Sequence, residues 1–328
     1  MLNNGWKRER KLAEAEEDII TRVAWLYYQE KMTQQQIAEW LTLSRPKVQR
    51  LLERAKDLDV VRFQIKHPYY NVLAAEQLLI KRFGLRDAVV VPVVSTEQEN
   101  LRRSFASACG TYLERLLRSR DGAVIGFGWG NTTSYLADYF DPPGPSENVE
   151  VVSLIGNLMV NVAMNPYISA ERIAGKLGAP FYNIWAPAIA QSKERAEVFK
   201  SEPWIEEALN IAARSDVVVI SIGELSQSAS MFEMGYLSAE DLERLQGKGA
   251  VGDIIGRFID SHGKVVSDEI HDRVIGIPLE LLKEPGRLVI GVAGGPSKYA
   301  SIRGAVIGGF VDVLITDEDM ASRLTKSP

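Results

Sequence analysis

One cysteine, Cys109, occurs in 328 residues. An internal disulfide is therefore excluded, and a reducing compartment suits the chain. Histidine is almost as scarce. His67, His262 and His271 stand far apart and form neither HExxH nor CxxC-like spacing, so no metal site is expected. No apolar run approaches the ~18–20 residues of a membrane span. The opening MLNNGWKRERKLAEAEED has no apolar core of a secretory leader. A cytoplasmic protein without membrane contact is expected. Two nucleotide signatures are also missing. GxxxxGK[ST] is absent, and in Gly126-x-Gly128-x-Gly130 the place of the third GxGxxG glycine is held by Asn131, with no acidic residue closing a strand about 20 residues on. No dinucleotide cofactor is expected.

What remains is ordinary for a globular protein: 46% apolar and 25% charged residues. The length suits two or three domains. Charge is unevenly placed. Residues 1–66 carry 13 Lys and Arg against 10 Asp and Glu; the rest carries 25 against 33. A mildly basic head on an acidic body is the pattern of a head that meets a polyanion.

Within the head, residues 1–17 read as a charged arm or frayed helix. Ile19, Ile20, Val23, Ala24, Leu26 and Tyr27 then recur at helical spacing, predicting a helix that ends near Lys31-Met32. The next stretch is TQQQIAEWLTLSRPKVQRLLERAKDLD. Thr33 is a fair N-cap for a helix from Gln34 to Leu41. Thr42-Leu43-Ser44 makes a break. Ser44 then caps a second helix, with Pro46 tolerated in its first turn. Ile37, Ala38, Leu41, Leu43, Val48, Leu51 and Leu52 supply the shared apolar face, with small Ala38 at the crossing. This is helix-turn-helix spacing. Thr42 departs from the glycine common at that turn.

The outward residues then suit DNA. Arg45 and Gln49 can donate to base edges. Lys47, Arg50 and the hydroxyls of Thr33 and Ser44 suit phosphate oxygens, with Gln34 beside them at the start of the first helix. The plainer alternative is a helical hairpin with a solvated polar face. Val60 to Ile65 alternates like a strand, and His67-Pro68 marks a boundary between a head, 1–66, and a body, 67–328.

In the body, helical patterns at 72–83 and 97–118 alternate with strand-length apolar runs. These are Ala88–Val94, Ala123–Phe127, Val151–Ile155, Phe181–Trp185, Val217–Ile222, Leu288–Val292 and Val311–Ile315. The alternation predicts a doubly wound, mostly parallel α/β sheet behind an all-α head. Ligands of such sheets bind at the carboxyl ends of strands. Two loops qualify. One is Gly126, Gly128, Trp129, Gly130, Asn131, Thr132 and Thr133, leading into a helix from about 132. The other is Gly294-Gly295, after which Ser297 and Lys298 begin a helix. Each offers backbone N–H groups to an anion, and Lys298 adds charge; the alternative for the first is a purely structural turn. A third stretch, GAVGDIIGRFIDSHG, sets Asp253 and Arg257 four apart, one turn if helical. Asp253 can bind sugar hydroxyls and Arg257 phosphate, or the two can pair internally. Cys109 reads as a packed core residue, Trp129 as a ligand stack or a core cap. Asp268-Glu269-His271-Asp272 reads as a charge run rather than a metal site.

Taken together, LYYQEKMTQQQIAEWLTLSRPKVQRLL, GFGWGNTT, GAVGDIIGRFID, VIGIPLELL, VAGGPSKYASIRGA and VDVLITDEDMA resemble the SorC family of bacterial sugar-binding transcriptional regulators, over nearly the whole chain. The resemblance implies an effector domain of the sugar-phosphate isomerase and deaminase type and a homodimer or homotetramer on operator DNA. The implied effector is a phosphorylated sugar or related small phosphate. Carried over, phosphate falls to Gly128, Gly130, Asn131, Thr132, Thr133 and Lys298, and sugar hydroxyls to Asp253 with Arg257 nearby. Gly156-Asn157 departs from the Gly-Gly of many members and bears on which sugar fits. The other function weighed is an isomerase or deaminase on the same body, but no convincing acid/base pair can be assembled from the spacing, and no catalytic residue is assigned.

Overall fold

A computed structural model describes residues 18–58, 60–61, 70–93, 97–120, 122–142, 144, 146, 148–158 and 166–326. The expected N-terminal arm, most of the strand expected at Val60–Ile65 and the His67-Pro68 break lie outside them. The chain divides into two compact units, residues 1–68 and 69–328.

In the smaller unit, helix α1 (18–28) buries Ile20, Val23 and Ala24. It stops earlier than its apolar pattern predicts. The Met32 N–H turns back to the Leu26 carbonyl at 3.0 Å, and Lys31 takes φ +58°, a left-handed closure that satisfies the last turn. Helices α2 (Gln34–Trp40) and α3 (Arg45–Asp57) follow. Ile37, Ala38, Val48, Leu51, Leu52 and Ala55 are buried with the α1 residues in one small core. Thr42, in the turn, has φ +54°. A β-branched side chain there carries real backbone strain.

The larger unit begins with α4 (Tyr70–Phe83), β1 (Asp87–Val91), α5 (Gln98–Arg118) and β2 (Ala123–Phe127). Then come α6 (Leu136–Tyr139), β3 (Val149–Ser153), α7 (Pro166–Leu177), β4 (Phe181–Tyr182), α8 (Lys193–Lys200), α9 (Pro203–Ala213) and β5 (Val217–Ser221). The remainder is α10 (Ser230–Glu233), α11 (Ala239–Gly247), β6 (Ala250–Ile254), β7 (Arg257–Asp260), α12 (Ile270–Arg273), β8 (Leu288–Val292), α13 (Tyr299–Ile307), β9 (Val313–Asp317) and α14 (Glu318–Lys326). Among the described residues, seven parallel strands form one sheet in the order β1-β9-β8-β5-β2-β3-β4. Alternate residues feed opposite layers: Val218 and Ile220 join one core, Val217 and Val219 the other. With both faces covered, each central strand reads as an unbroken apolar run. Cys109 is buried beside Phe105 in the second layer, and burial pushes its thiol up to about 12; it is a core residue.

Two expectations change. The Phe181–Trp185 run pairs only at Phe181 and Tyr182. The glycine-rich stretch at 249–263 is not helical. It forms an antiparallel hairpin, β6 with β7. Its two turn residues, Ile255 and Gly256, have φ +44° and +76°, the sign required at both positions of a type I′ turn.

Candidate functional site

On the smaller unit, Ser44, Arg45, Lys47, Gln49 and Arg50 are all exposed along the front of α3. Arg45 and Lys47 make no hydrogen bond or ion pair among the described residues, so their charge is uncompensated. Gln49 reaches Glu53 at 3.4 Å, and Arg50 the Pro46 carbonyl at 3.5 Å; both contacts are long and easily exchanged. Thr33 is the expected N-cap of α2, but its hydroxyl is not free for a phosphate. Its hydroxyl accepts the Gln36 N–H at 3.3 Å and donates to Gln36 Oε1 at 3.0 Å, completing a capping box. That oxygen is engaged locally. Ser44 occupies the N-cap of α3 but makes no side-chain cap bond, which leaves its hydroxyl available. A cleft of about 810 Å³ lies between Tyr27, Tyr28, Lys31, Gln34, Gln35 and Arg45. Cations border it, as a cleft for a phosphate backbone requires.

On the larger unit, the chain passes from β2 out to β3 and β4, then returns to place β5 on the other side of β2. The gap between the β2 and β5 carboxyl ends is the topological switch point, where open α/β sheets bind ligands. Four contacts gather loops there. Asn131 Nδ2 donates to Ser230 Oγ at 2.9 Å. Lys298 Nζ donates to the Ile222 carbonyl at 2.8 Å. Asp253 exchanges backbone hydrogen bonds with Gly223, at 2.8 and 3.3 Å. Gly130 lies so close to Ser221 that a Cβ on it would strike the Ser221 hydroxyl. The β5 loop, Ser221 to Glu224, was not singled out by sequence reasoning. No glycine run or charge cluster marks it, and only the strand order reveals it.

The β2 loop is braced from inside. Thr133 Oγ1 donates to the Gly130 carbonyl at 3.0 Å, and Ser134 Oγ to the Asn131 carbonyl at 2.8 Å. The backbone N–H groups of Gly130, Asn131, Thr132 and Thr133 find no acceptor among the described residues, nor does the Thr132 hydroxyl. A run of unpaired N–H groups is what an anion can use. The helix expected from about 132 is only a 3-10 turn, Thr133–Tyr135, followed by the single turn of α6, so the unpaired N–H groups belong to a short turn rather than to the start of a long helix. Gly128 is a correction. Its N–H is taken by the Val219 carbonyl at 2.8 Å, because sheet pairing continues past β2. It must be glycine for packing: a Cβ there would lie 2.9 Å from Ile255 Cγ2. Trp129 is buried and meets Tyr236 edge to face, so it caps the core.

Asp253 is buried, and its Oδ2 accepts the Gly256 N–H at 3.1 Å. Desolvation raises its pKa to about 6, against the lowering effects of that bond and of Lys298. Desolvation likewise lowers the Lys298 ammonium, with Glu224 and Asp253 pulling the other way. Arg257 does not join them. Its Nη2 donates to the Gly276 carbonyl at 3.2 Å, and its buried Nη1 has no partner. Asp253 stands opposite Phe258 and Ile254 opposite Arg257. In a hairpin, opposite residues share a face and neighbours alternate, so the two charges point to opposite sides and neither the shared site nor the internal salt bridge forms. Asn157 clips two loops together: its Nδ2 donates to the Ile184 carbonyl at 3.1 Å and its N–H to that of Ala186 at 2.7 Å.

The acidic run at 268–272 is structural. Asp268 is fully covered and holds Arg244 at 3.0 Å and Lys248 at 2.8 Å. His271 Nε2 accepts the Phe258 N–H at 2.9 Å, and burial lowers its pKa to about 4, leaving the ring neutral. Among the described residues no group of histidine, cysteine and acidic side chains can hold a metal, and no helix is long and apolar enough to cross a membrane.

Comparison with known proteins gives the family. Residues 67–326 match the family model described as "Putative sugar-binding domain". The transcriptional regulator LsrR of Klebsiella pneumoniae is 35% identical over 94% of this chain and 93% of its own. The deoxyribonucleoside regulator of Bacillus subtilis is 31% identical over 94% and 97%. Among solved structures, the full-length sorbitol operon regulator SorC of Klebsiella pneumoniae superposes with a TM-score of 0.74 at 27% identity, covering 94% of this chain and 99% of its own. A DeoR family regulator of Listeria monocytogenes superposes with a TM-score of 0.70 at 26% identity, over 77% and 99%. These relatives are regulators, and the isomerase or deaminase reading is not favoured. The chain belongs to the SorC-like family of transcriptional regulators that carry a sugar-binding domain, and it is a regulator rather than an enzyme.

Proposed function

We propose that this regulator reads operator DNA through α3 and that a phosphorylated sugar, held at the β2/β5 switch point, controls its operator affinity in the cytoplasm. The observation that carries the reading is the nest of unpaired N–H groups at Gly130–Thr133, gathered at one sheet edge with the Lys298 ammonium. A phosphate dianion satisfies both, and the Thr132 hydroxyl adds a donor. Asp253 Oδ1 faces the same edge beside Gly223 and suits a sugar hydroxyl. The relatives include a sorbitol operon regulator and a deoxyribonucleoside regulator, which supports a carbohydrate operon as the target. On the DNA side, Arg45 and Gln49 read bases while Ser44, Lys47 and Arg50 hold phosphates. The working unit is a homo-oligomer, dimer or tetramer, since paired heads match a palindromic operator. The ligand acts by binding one arrangement of the oligomer better than another.

The test is retardation of DNA upstream of the protein's own gene, at ~150 mM salt with excess random DNA, with and without pentose and hexose phosphates. A specific shift that the sugar phosphate alters is expected. Lys298→Met should weaken the ligand response by roughly 10- to 150-fold, the loss of one charged hydrogen bond, with the unliganded shift intact. Arg45→Ala should instead relax operator choice. A Lys298→Met protein that responds like wild type would place the phosphate elsewhere.

A further inference from the structure

Among the described residues, three that bear a side chain stand in left-handed backbone: Lys31, Thr42 and Ile255, at φ +58°, +54° and +44°. Ile255 is buried, and its packing compensates it. Lys31 and Thr42 are exposed, and of these two only Lys31 lines the cleft that runs past α1, α2 and α3. Lys31 stands at the closing position of α1, just before the Met32 N–H returns to the Leu26 carbonyl. Helices commonly give that position to glycine. Left-handed backbone under a side chain carries strain, and strain of this kind concentrates where the side chain has a function.

The surroundings of Lys31 indicate what its ammonium meets. It has no hydrogen bond or ion pair among the described residues. Arg45, equally unpaired, lines the same cleft, and no acidic residue does. The acids nearest in sequence are turned elsewhere: Glu30 accepts Trp25 Nε1 at 3.2 Å, and Glu39 accepts Gln35 Nε2 at 2.8 Å. Tyr27 brings a neutral donor to the lining. Its ring packs on the small core and meets Tyr28 edge to face at 4.9 Å, while its hydroxyl has no hydrogen-bond partner among the described residues.

Two uncompensated cations on one cleft raise the local concentration of anions. A small phosphate ligand is a poor match, because ligand pockets enclose most of their ligand, whereas Lys31, Gln35 and Arg45 all stand exposed. A polyanion that passes across the cleft is a good one. Arg45 belongs both to this cleft and to the front of α3, so a duplex read by Arg45 has its backbone beside the same walls.

We propose that Lys31, with the Tyr27 hydroxyl, grips a DNA backbone phosphate from the end of α1, outside the contacts that α3 makes. The proposal rests on the DNA reading of α3 and adds to it a second contacting element. A lysine on a phosphate carries no sequence information, so Lys31 supplies affinity and not operator choice. The test is binding of full-length protein to DNA from upstream of its own gene and to a random duplex of equal length, over a range of salt. Lys31→Gly should weaken both by the same factor, about 3- to 10-fold, and reduce the slope of log affinity against log salt by about 1. It should also raise the urea midpoint of the smaller unit, since glycine relieves the backbone. Lys31→Gln keeps the strain and drops the charge; it should lose the same affinity with no gain in midpoint. Lys31→Arg should keep both affinity and slope. Tyr27→Phe should weaken both duplexes by a smaller factor and leave the slope alone. A Lys31→Gly protein with wild-type affinity and slope would overturn the assignment, and an Arg45→Ala protein that still alters operator choice would show that the reading of α3 survives it. A loss confined to the upstream DNA would make Lys31 a reader of bases and overturn the phosphate contact. A wild type that binds neither duplex would overturn both readings.

Discussion

Asp253 is the residue at which burial, charge and turn geometry meet. One carboxylate oxygen is fixed by the Gly256 N–H, so it stabilises the strained tip of the hairpin. The other faces the site. With its folded pKa at about 6 against an ordinary 3.8, the native chain between those pH values holds a proton that the unfolded chain has released. The site's contribution to stability is therefore fully present below about pH 4 and lost as pH rises through 6. Asparagine keeps an acceptor for Gly256 and removes the buried charge. Asp253→Asn should accordingly be more stable than wild type at pH 7.5 by about 1–3 kcal/mol, several degrees of melting temperature. The advantage should shrink as pH falls below 6. A variant less stable than wild type at pH 7.5 would show that the carboxylate gains more from its partners than desolvation takes away.

Turns set the accuracy of both sites. Each site is flanked by a β-branched residue in left-handed backbone: Thr42 between α2 and α3, and Ile255 at the hairpin tip. Ile255 is buried against Gly128, so its packing offsets its strain. Thr42 is exposed and has no such compensation. The left-handed conformation costs a residue with a Cβ roughly 1–2 kcal/mol, while glycine gives back about 0.5–1 kcal/mol in chain entropy. Thr42→Gly should thus stabilise the smaller unit by about 0.5–1 kcal/mol, seen as a higher urea midpoint of its helical circular dichroism. Operator affinity should not fall. A lower midpoint would mean that the threonine makes a contact in solution that offsets its backbone.

At the scale of the whole molecule, the two units have separate apolar cores. The core of α1 to α3 is drawn from residues 19–61 alone, and the sheet has its own two layers. Calorimetry should resolve two unfolding transitions rather than one. A sugar phosphate at about 100 times its dissociation constant should stabilise the larger unit by roughly 2.7 kcal/mol and leave the smaller transition in place. A ligand that moved only the smaller transition would refute the pocket assignment.

Much of this was legible in residue order. Helical periodicity and the position of Ala38 determined the helix-turn-helix, because a local core of i, i+3 and i+4 contacts is written in local spacing. Continuous apolar runs determined a parallel sheet covered on both faces. The glycines and threonines after β2 and the lysine after β8 marked the two loops that the sheet brings to one edge. Tertiary structure decided the rest. Strand order placed β5 beside β2 and so brought Ser221 to Glu224 into the site; pairing across long crossovers leaves no local mark. Hairpin pairing turned Asp253 and Arg257 to opposite faces, where a helix would have put them on one. Sheet pairing claimed the Gly128 N–H. A sequence lists donors and acceptors, but which of them remain free depends on which neighbours the fold supplies.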